Sequence, residues 1–268
     1  MRRVVCAVLL LLWAGSASAA VKVVASMWPL ALLVRDVGGD FVEVKTLLPP
    51  GASPHVWELR PRDVEAVSGC DLLVMVGCGA EPWLKVASQR RWLLCRGVAL
   101  KEGNPHVWIG LKTVASRVES LAAELSRIDP SHRSYFFDRA RRLKGKLEGL
   151  LELYRKRLSG LRVVSQHGAW VYLLSDLGVV YLGALEPSPH KEPGPRRFLM
   201  LADKLGGRCG VVVAEFGHNR ALAERLARVS GSCMALLYPT GRGDEGSFCD
   251  FIRENLEPLV RCARRCIR

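Results

Sequence analysis

The chain has 268 residues, 49% hydrophobic and 24% charged, with a formal net charge of +13. That length supports one large buried core or two smaller ones, and the composition excludes wholesale disorder. No apolar run of about 20 residues follows residue 20, which excludes a polytopic membrane protein, and nine cysteines are too few for a disulfide-built miniprotein.

The chain opens with an address. Arg2 and Arg3 precede the apolar run from Val4 to Ala14, and small residues from Gly15 to Ala20 follow. This is the pattern of a secretory signal, with an uncleaved anchor as the alternative. Residues 1–20 are therefore expected to direct export to the periplasm, leaving 248 residues with a charge of +11 once two arginines are lost. Export removes nucleic acid from the partners that a basic chain would otherwise suggest. The densest basic stretch, Arg139 to Arg157, reads as the solvated face of a helix.

Beyond the signal the pattern alternates. Strand-like runs at 21–25, 41–48 and 71–76 are separated by helical segments at 29–37 and 62–68. An amphipathic helix follows over 110–127, with Val114, Val118, Leu121 and Leu125 on one stripe. Asp129-Pro130-Ser131 breaks it. A proline-free stretch then runs from Ser131 to Leu158 and keeps a helical apolar stripe through Leu143, Leu147 and Leu150. The alternation restarts with strands at 162–165, 179–184, 211–214 and 234–237, and helices at 169–177, 196–205, 222–229 and 248–266. Strands alternating with helices imply parallel sheets with crossover helices. The expected fold is α/β: two lobes, each a parallel-sheet αβ sandwich, joined by one long rigid helix. The expected bounds are 21–130 for the N-terminal lobe, 131–159 for the linker helix and 160–268 for the C-terminal lobe.

Eight cysteines remain after export, and an oxidising compartment permits disulfides. Cys262 and Cys266 lie four apart on a helix and face one side, so a bridge to one of them from Cys209 or Cys233 is a candidate; buried free cysteines are the competing reading.

Three of the six histidines share a context. His55 sits in Ser-Pro-His-Val-Trp, His106 in Asn-Pro-His-Val-Trp, and His167 in Val-Val-Ser-Gln-His-Gly-Ala, each after a strand or linker segment. In open αβ sheets ligands gather at the carboxyl ends of strands. Proline fixes the backbone before the imidazole, and the aromatic after it can exclude water, which suits a preformed metal site. Any one of these histidines alone reads as an ordinary core or surface residue. The spacings are not those of compact zinc motifs.

These residues carry a family resemblance through nearly the whole exported chain. The segment Leu47-Leu-Pro-Pro-Gly-Ala-Ser-Pro-His55-Val-Trp, the run Asp71-Leu-Leu-Val-Met-Val-Gly77 with Glu81-Pro-Trp83, the motif Asn104-Pro-His106-Val-Trp, His167-Gly-Ala-Trp, and Val212-Val-Ala-Glu215 resemble, in order and spacing, the zinc/manganese solute-binding proteins of bacterial metal-ion ABC importers. The resemblance implies that His55 and His106 from the first lobe and His167 from the second hold one divalent ion in the cleft between lobes. Three imidazoles favour Zn2+, with Mn2+ behind it, because manganese prefers oxygen ligands. Many relatives carry an aspartate ligand in a late strand-end turn. Here that stretch is Ala235 to Gly241, with Tyr238 where the acid would fall, so the fourth position is left to water, Glu215, Asp244 or Glu245. The His-rich loop of many zinc relatives is also missing, since Gly97 to Gly103 leaves no room for it.

The resemblance implies a monomeric extracytoplasmic protein that captures zinc without turnover and delivers it to the membrane permease of an ABC importer. The alternatives are a manganese-binding transport homologue, an adhesin on the same scaffold, or a zinc hydrolase with water as the fourth ligand.

Overall fold

The computed structural model describes residues 20–85, 88, 90–186, 194–206 and 210–265. The expected signal, apart from Ala20, lies outside the described residues, as do Cys209, Cys266 and His190.

Strands β1 (Val21–Met27), β2 (Val42–Leu48), β3 (Leu72–Met75) and β4 (Arg91–Leu93) form a parallel sheet in the order β2-β1-β3-β4. Strands β5 (Arg162–Ser165), β6 (Val180–Ala184), β7 (Gly210–Glu215) and β8 (Cys233–Leu237) form a second, in the order β6-β5-β7-β8. The two orders are the same when each lobe is counted from its own first strand. Inner strands β3 and β7 are buried at every position, as unbroken apolar runs under two layers of helix must be. The outer strand β2 alternates half-buried and exposed residues before ending in two buried leucines.

Helices α1 (Trp28–Gly38), α2 (Pro61–Ser68) and α3 (Leu111–Ile128) cover the first sheet, and α5 (Val171–Asp176), α6 (Pro195–Leu205) and α7 (Ala221–Ser230) belong to the second lobe. Helix α4 (Arg133–Leu158) has 26 residues, about 39 Å at 1.5 Å each. Its buried stripe is Phe136, Ala140, Leu143, Leu147, Leu150, Tyr154 and Leu158, spaced by three or four residues as a single helix face requires. A short turn at 130–132 precedes it, where His132 stacks on Phe41 at 3.5 Å and its Nδ1 meets Asp129 Oδ2 at 2.5 Å. Helix α8 (Phe248–Arg265) packs on β8 and also against α1 and α4, and Asp36 of α1 accepts its first backbone N–H, from Phe248, at 2.8 Å.

One buried apolar cluster runs from β1 through α3 and α4 to β7 and α8, so the lobes share a packed core. Strand β4 is absent from the sequence reading. Three residues, Arg-Trp-Leu, are too short to show a period, and the pairing of Val74 with Trp92 in the sheet is what makes them a strand.

Two disulfides form among the described cysteines. Cys233–Cys262 fastens β8 to α8, one of the bridges expected. Cys78–Cys95, which the sequence did not suggest, links the segments that follow β3 and β4. Cys70 and Cys249 are free thiols, and burial pushes the Cys249 thiol up to about 11.

Candidate metal centre

The parallel sheets carry their loops to one place. His55 lies in the loop from β2 to α2. His106 precedes a short turn, Val107–Ile109, that leads into α3. His167 follows β5, and Glu215 ends the neighbouring strand β7. The connections leaving β5 and β7 run to opposite edges of the sheet, to β6 and to β8, so His167 and Glu215 flank the crevice where the strand order switches.

The three histidines converge. Their ring centroids are 5.6 Å (His55–His106), 5.3 Å (His55–His167) and 4.7 Å (His106–His167) apart. One ligand nitrogen from each lies within 4.8 Å of the other two. A tetrahedral ion with metal–nitrogen bonds of about 2.0–2.1 Å places its nitrogens roughly 3.4 Å apart, so small side-chain rotations bring the set to coordination distance. The rings border a small hollow of about 20 Å³, the size of one water or one ion. They also line a larger cleft of about 800 Å³, bordered by Lys101, Asn104, Tyr181 and Arg197.

Each buried ring is held by a partner behind it. Asn104 Oδ1 accepts from both the backbone N–H of His106 (2.9 Å) and its Nδ1 (2.8 Å). An amide oxygen only accepts, so Nδ1 carries the proton and Nε2 presents its lone pair. The other end of the Asn104 amide donates to Gly168 O at 2.7 Å, so one side chain orients a first-lobe imidazole and ties it to the second lobe. Burial holds the His106 imidazole well below its ordinary protonation range, and the neighbouring His167 and His55 push the same way. It is therefore neutral at pH 7, the form that binds metal.

His167 has a carboxylate behind it. Glu215, with no solvent exposure, places Oε2 3.4 Å from His167 Nδ1 and accepts from Trp170 Nε1 at 2.9 Å on Oε1. Such carboxylate–histidine pairs fix the tautomer and raise the basicity of the nitrogen left to the metal. His218 Nε2 is 3.9 Å from the same Oε2, and its ring stacks on His167 with centroids 5.9 Å apart. Trp108, 1% exposed, walls the cluster 5.0 Å from the His106 ring, as its place after the histidine suggested. Trp57, in the matching position after His55, borders a separate hollow instead.

The candidates for the fourth position separate. Asp244 and Glu245 fall in another cluster with Glu254, away from the imidazoles. Asp244 is exposed and pairs with Arg242, while Glu245 accepts from Trp28 Nε1. Tyr238 stacks on Phe216 at 5.0 Å. Glu215 stands behind His167. The sequence reading missed Asn104 as an orienting group, although its place two residues before His106 is the spacing of a local side-chain-to-backbone turn.

The repeated sheet order, the linking helix and the imidazoles meeting between lobes define the class: two-lobed α/β solute-binding proteins. The chain belongs to the family described as zinc-uptake complex component A, periplasmic, whose profile matches residues 23–262. It is thus a metal-binding substrate-binding protein of the ABC metal-importer kind. Among the described residues no helix is long and apolar enough to cross a membrane. The high-affinity zinc uptake system protein ZnuA of Bacillus subtilis (strain 168) is 24% identical over 200 residues, covering 64% of this chain and 63% of the relative, so the chain spans just under two thirds of that protein. The manganese ABC transporter substrate-binding lipoprotein PsaA of Streptococcus pneumoniae serotype 4 is 24% identical over 210 residues, covering 69% and 68%. Among solved structures, the laminin-binding protein Lmb of Streptococcus agalactiae, a bifunctional protein with adhesin and metal transporting activity, superposes with a TM-score of 0.80 at 26% identity, over 91% of this chain and all of that one.

Proposed function

We propose that the protein captures a single zinc ion with His55, His106 and His167 in the interlobe crevice and delivers it to the permease of an ABC importer, without catalysing a reaction. The observation that carries this reading is the donor set. Three imidazoles, two of them oriented by Asn104 and Glu215, converge, and among the described residues no carboxylate is grouped with them. Nitrogen-rich four-coordinate sites suit zinc, whereas manganese favours oxygen donors and higher coordination. Water completes the sphere. A hydrolase needs a group placed to activate that water. The Glu215 carboxylate lies beside His167, and its oxygens already serve Trp170 and His167. The helix-linked, packed interlobe core limits hinge motion, so capture proceeds by small movements of the ligand loops.

Titration of the metal-stripped protein with zinc and with manganese by competition calorimetry tests the assignment. One zinc per chain is expected, bound at least about a hundredfold more tightly than manganese, in keeping with the affinity order of nitrogen-rich sites. Equal affinities, or tighter manganese, would refute the zinc reading.

A further inference from the structure

The segment 239–245 lies between β8 and α8 and contains two of the acids that the sequence offered as ligands, Asp244 and Glu245. It reaches across to the first lobe. Thr240 Oγ1 donates to Ala52 O at 3.1 Å, Trp108 Nε1 donates to Pro239 O at 2.8 Å, and Trp28 Nε1 donates to Glu245 Oε2 at 2.8 Å. The Glu245 carboxylate also closes its own turn, accepting from the backbone N–H of Arg242 (2.7 Å) and of Gly243 (2.8 Å). It is 5% exposed and accepts three N–H donors, one of them from the other lobe. The fit leaves no slack. A Cβ on Gly241 would meet Trp28 Cδ1 at 2.6 Å, and one on Gly243 would meet Pro50 Cγ at 2.9 Å, while both glycines have positive φ (79° and 98°).

The first-lobe groups gripped by this segment are those that carry the imidazoles. Pro50 and Ala52 belong to the His55 loop, and Trp108 lies two residues after His106. Glu245 groups with Asp244 and Glu254 rather than with the three histidines, yet it fixes the turn that presses on both segments.

We infer that segment 239–245 is an interlobe clasp, with Glu245 as its positioning residue, and that the clasp sets how long a captured ion stays. The second clause rests on the proposed metal site; the first does not. An ion held by His55 and His106 on one side and His167 on the other leaves only when the His55 loop moves or the lobes part. Movement of the His55 loop breaks the Thr240–Ala52 bond, and parting of the lobes breaks the Trp28–Glu245 bond as well. Replacing Glu245 by glutamine turns one acceptor into an NH2 group that opposes an N–H donor, so at least one of the three bonds is lost.

Two measurements decide it. In the metal-free protein, amide hydrogen exchange over residues 49–58 is expected to quicken about tenfold in Glu245→Gln and in Trp28→Phe, with β5 and β7 unchanged, the size expected for a lost bond to a buried charged group. Zinc release into excess chelator, followed by stopped flow, is expected to quicken by a similar factor, with stoichiometry still one. Thr240→Val, which removes one hydroxyl with little change of shape, gives a smaller change in the same direction and serves if Glu245→Gln does not fold. Unchanged exchange over 49–58 would overturn the clasp. Faster exchange with unchanged zinc release would overturn its control of the ion. A wild-type protein that takes up no zinc would overturn that control together with the site reading, while exchange still decides the clasp.

Discussion

Replacing His106 by alanine is expected to weaken zinc binding by about a hundred- to a thousandfold. Four-ligand structural zinc sites are worth about 10–16 kcal/mol, roughly 2.5–4 kcal/mol per ligand, which converts to that range. His106 is the sharpest choice of the three. Its ring is buried, its proton is fixed on Nδ1 by Asn104, and its neutral form persists at pH 7, so its nitrogen is already prepared for the ion. The fold should tolerate the change. Asn104 Oδ1 keeps the backbone N–H of residue 106 as a donor, and the Asn104 amide keeps its bond to Gly168. Competition calorimetry gives the affinity, and a thermal melt of the metal-free variant within a few degrees of wild type shows that the loss is local. Affinity within threefold of wild type would remove His106 from the site.

Glu215→Ala is expected to have the next largest effect, about ten- to a hundredfold in zinc affinity, the range for loss of a carboxylate that orients a metal-bound histidine. Two defects combine. His167 loses the group beside Nδ1, and the indole N–H of Trp170 is left buried without an acceptor. The metal-free protein should therefore lose stability as well, by about 1–3 kcal/mol from the orphaned donor. Glu215→Gln separates the two defects. It can still accept from Trp170, so stability should largely return, while zinc affinity stays reduced because a neutral amide does not raise imidazole basicity. Denaturant unfolding and calorimetry on both variants check this. Full affinity in Glu215→Ala would show that His167 needs no partner.

Much of this was legible in the sequence because it is periodic or local. The alternation of β-branched runs with helical stripes gave both sheets, and the uninterrupted stripe before Ser159-Gly160 gave α4. The Pro-His-Val-Trp repeats pointed to His55 and His106, and the strand end at Ser165 to His167. What stayed hidden depends on tertiary contact. Three-residue β4 has no period to read and exists only through its pairing with β3. Cys78 and Cys95 meet because β3 and β4 are neighbours, which their separation of 17 residues does not reveal. Glu215 and Glu245 looked equivalent as carboxylates after strands. The fold sends one behind His167 and the other beneath Trp28, and no local pattern distinguishes those outcomes.

The most direct measurement is zinc K-edge X-ray absorption on the protein loaded with one equivalent of zinc, beside His55→Ala, His106→Ala and His167→Ala. The account predicts four light-atom neighbours, three of them with the outer-shell scattering of imidazole at about 2.0–2.1 Å, and one imidazole fewer in each variant. Sulfur at about 2.3 Å, or a wild-type spectrum left intact by all three substitutions, would contradict it.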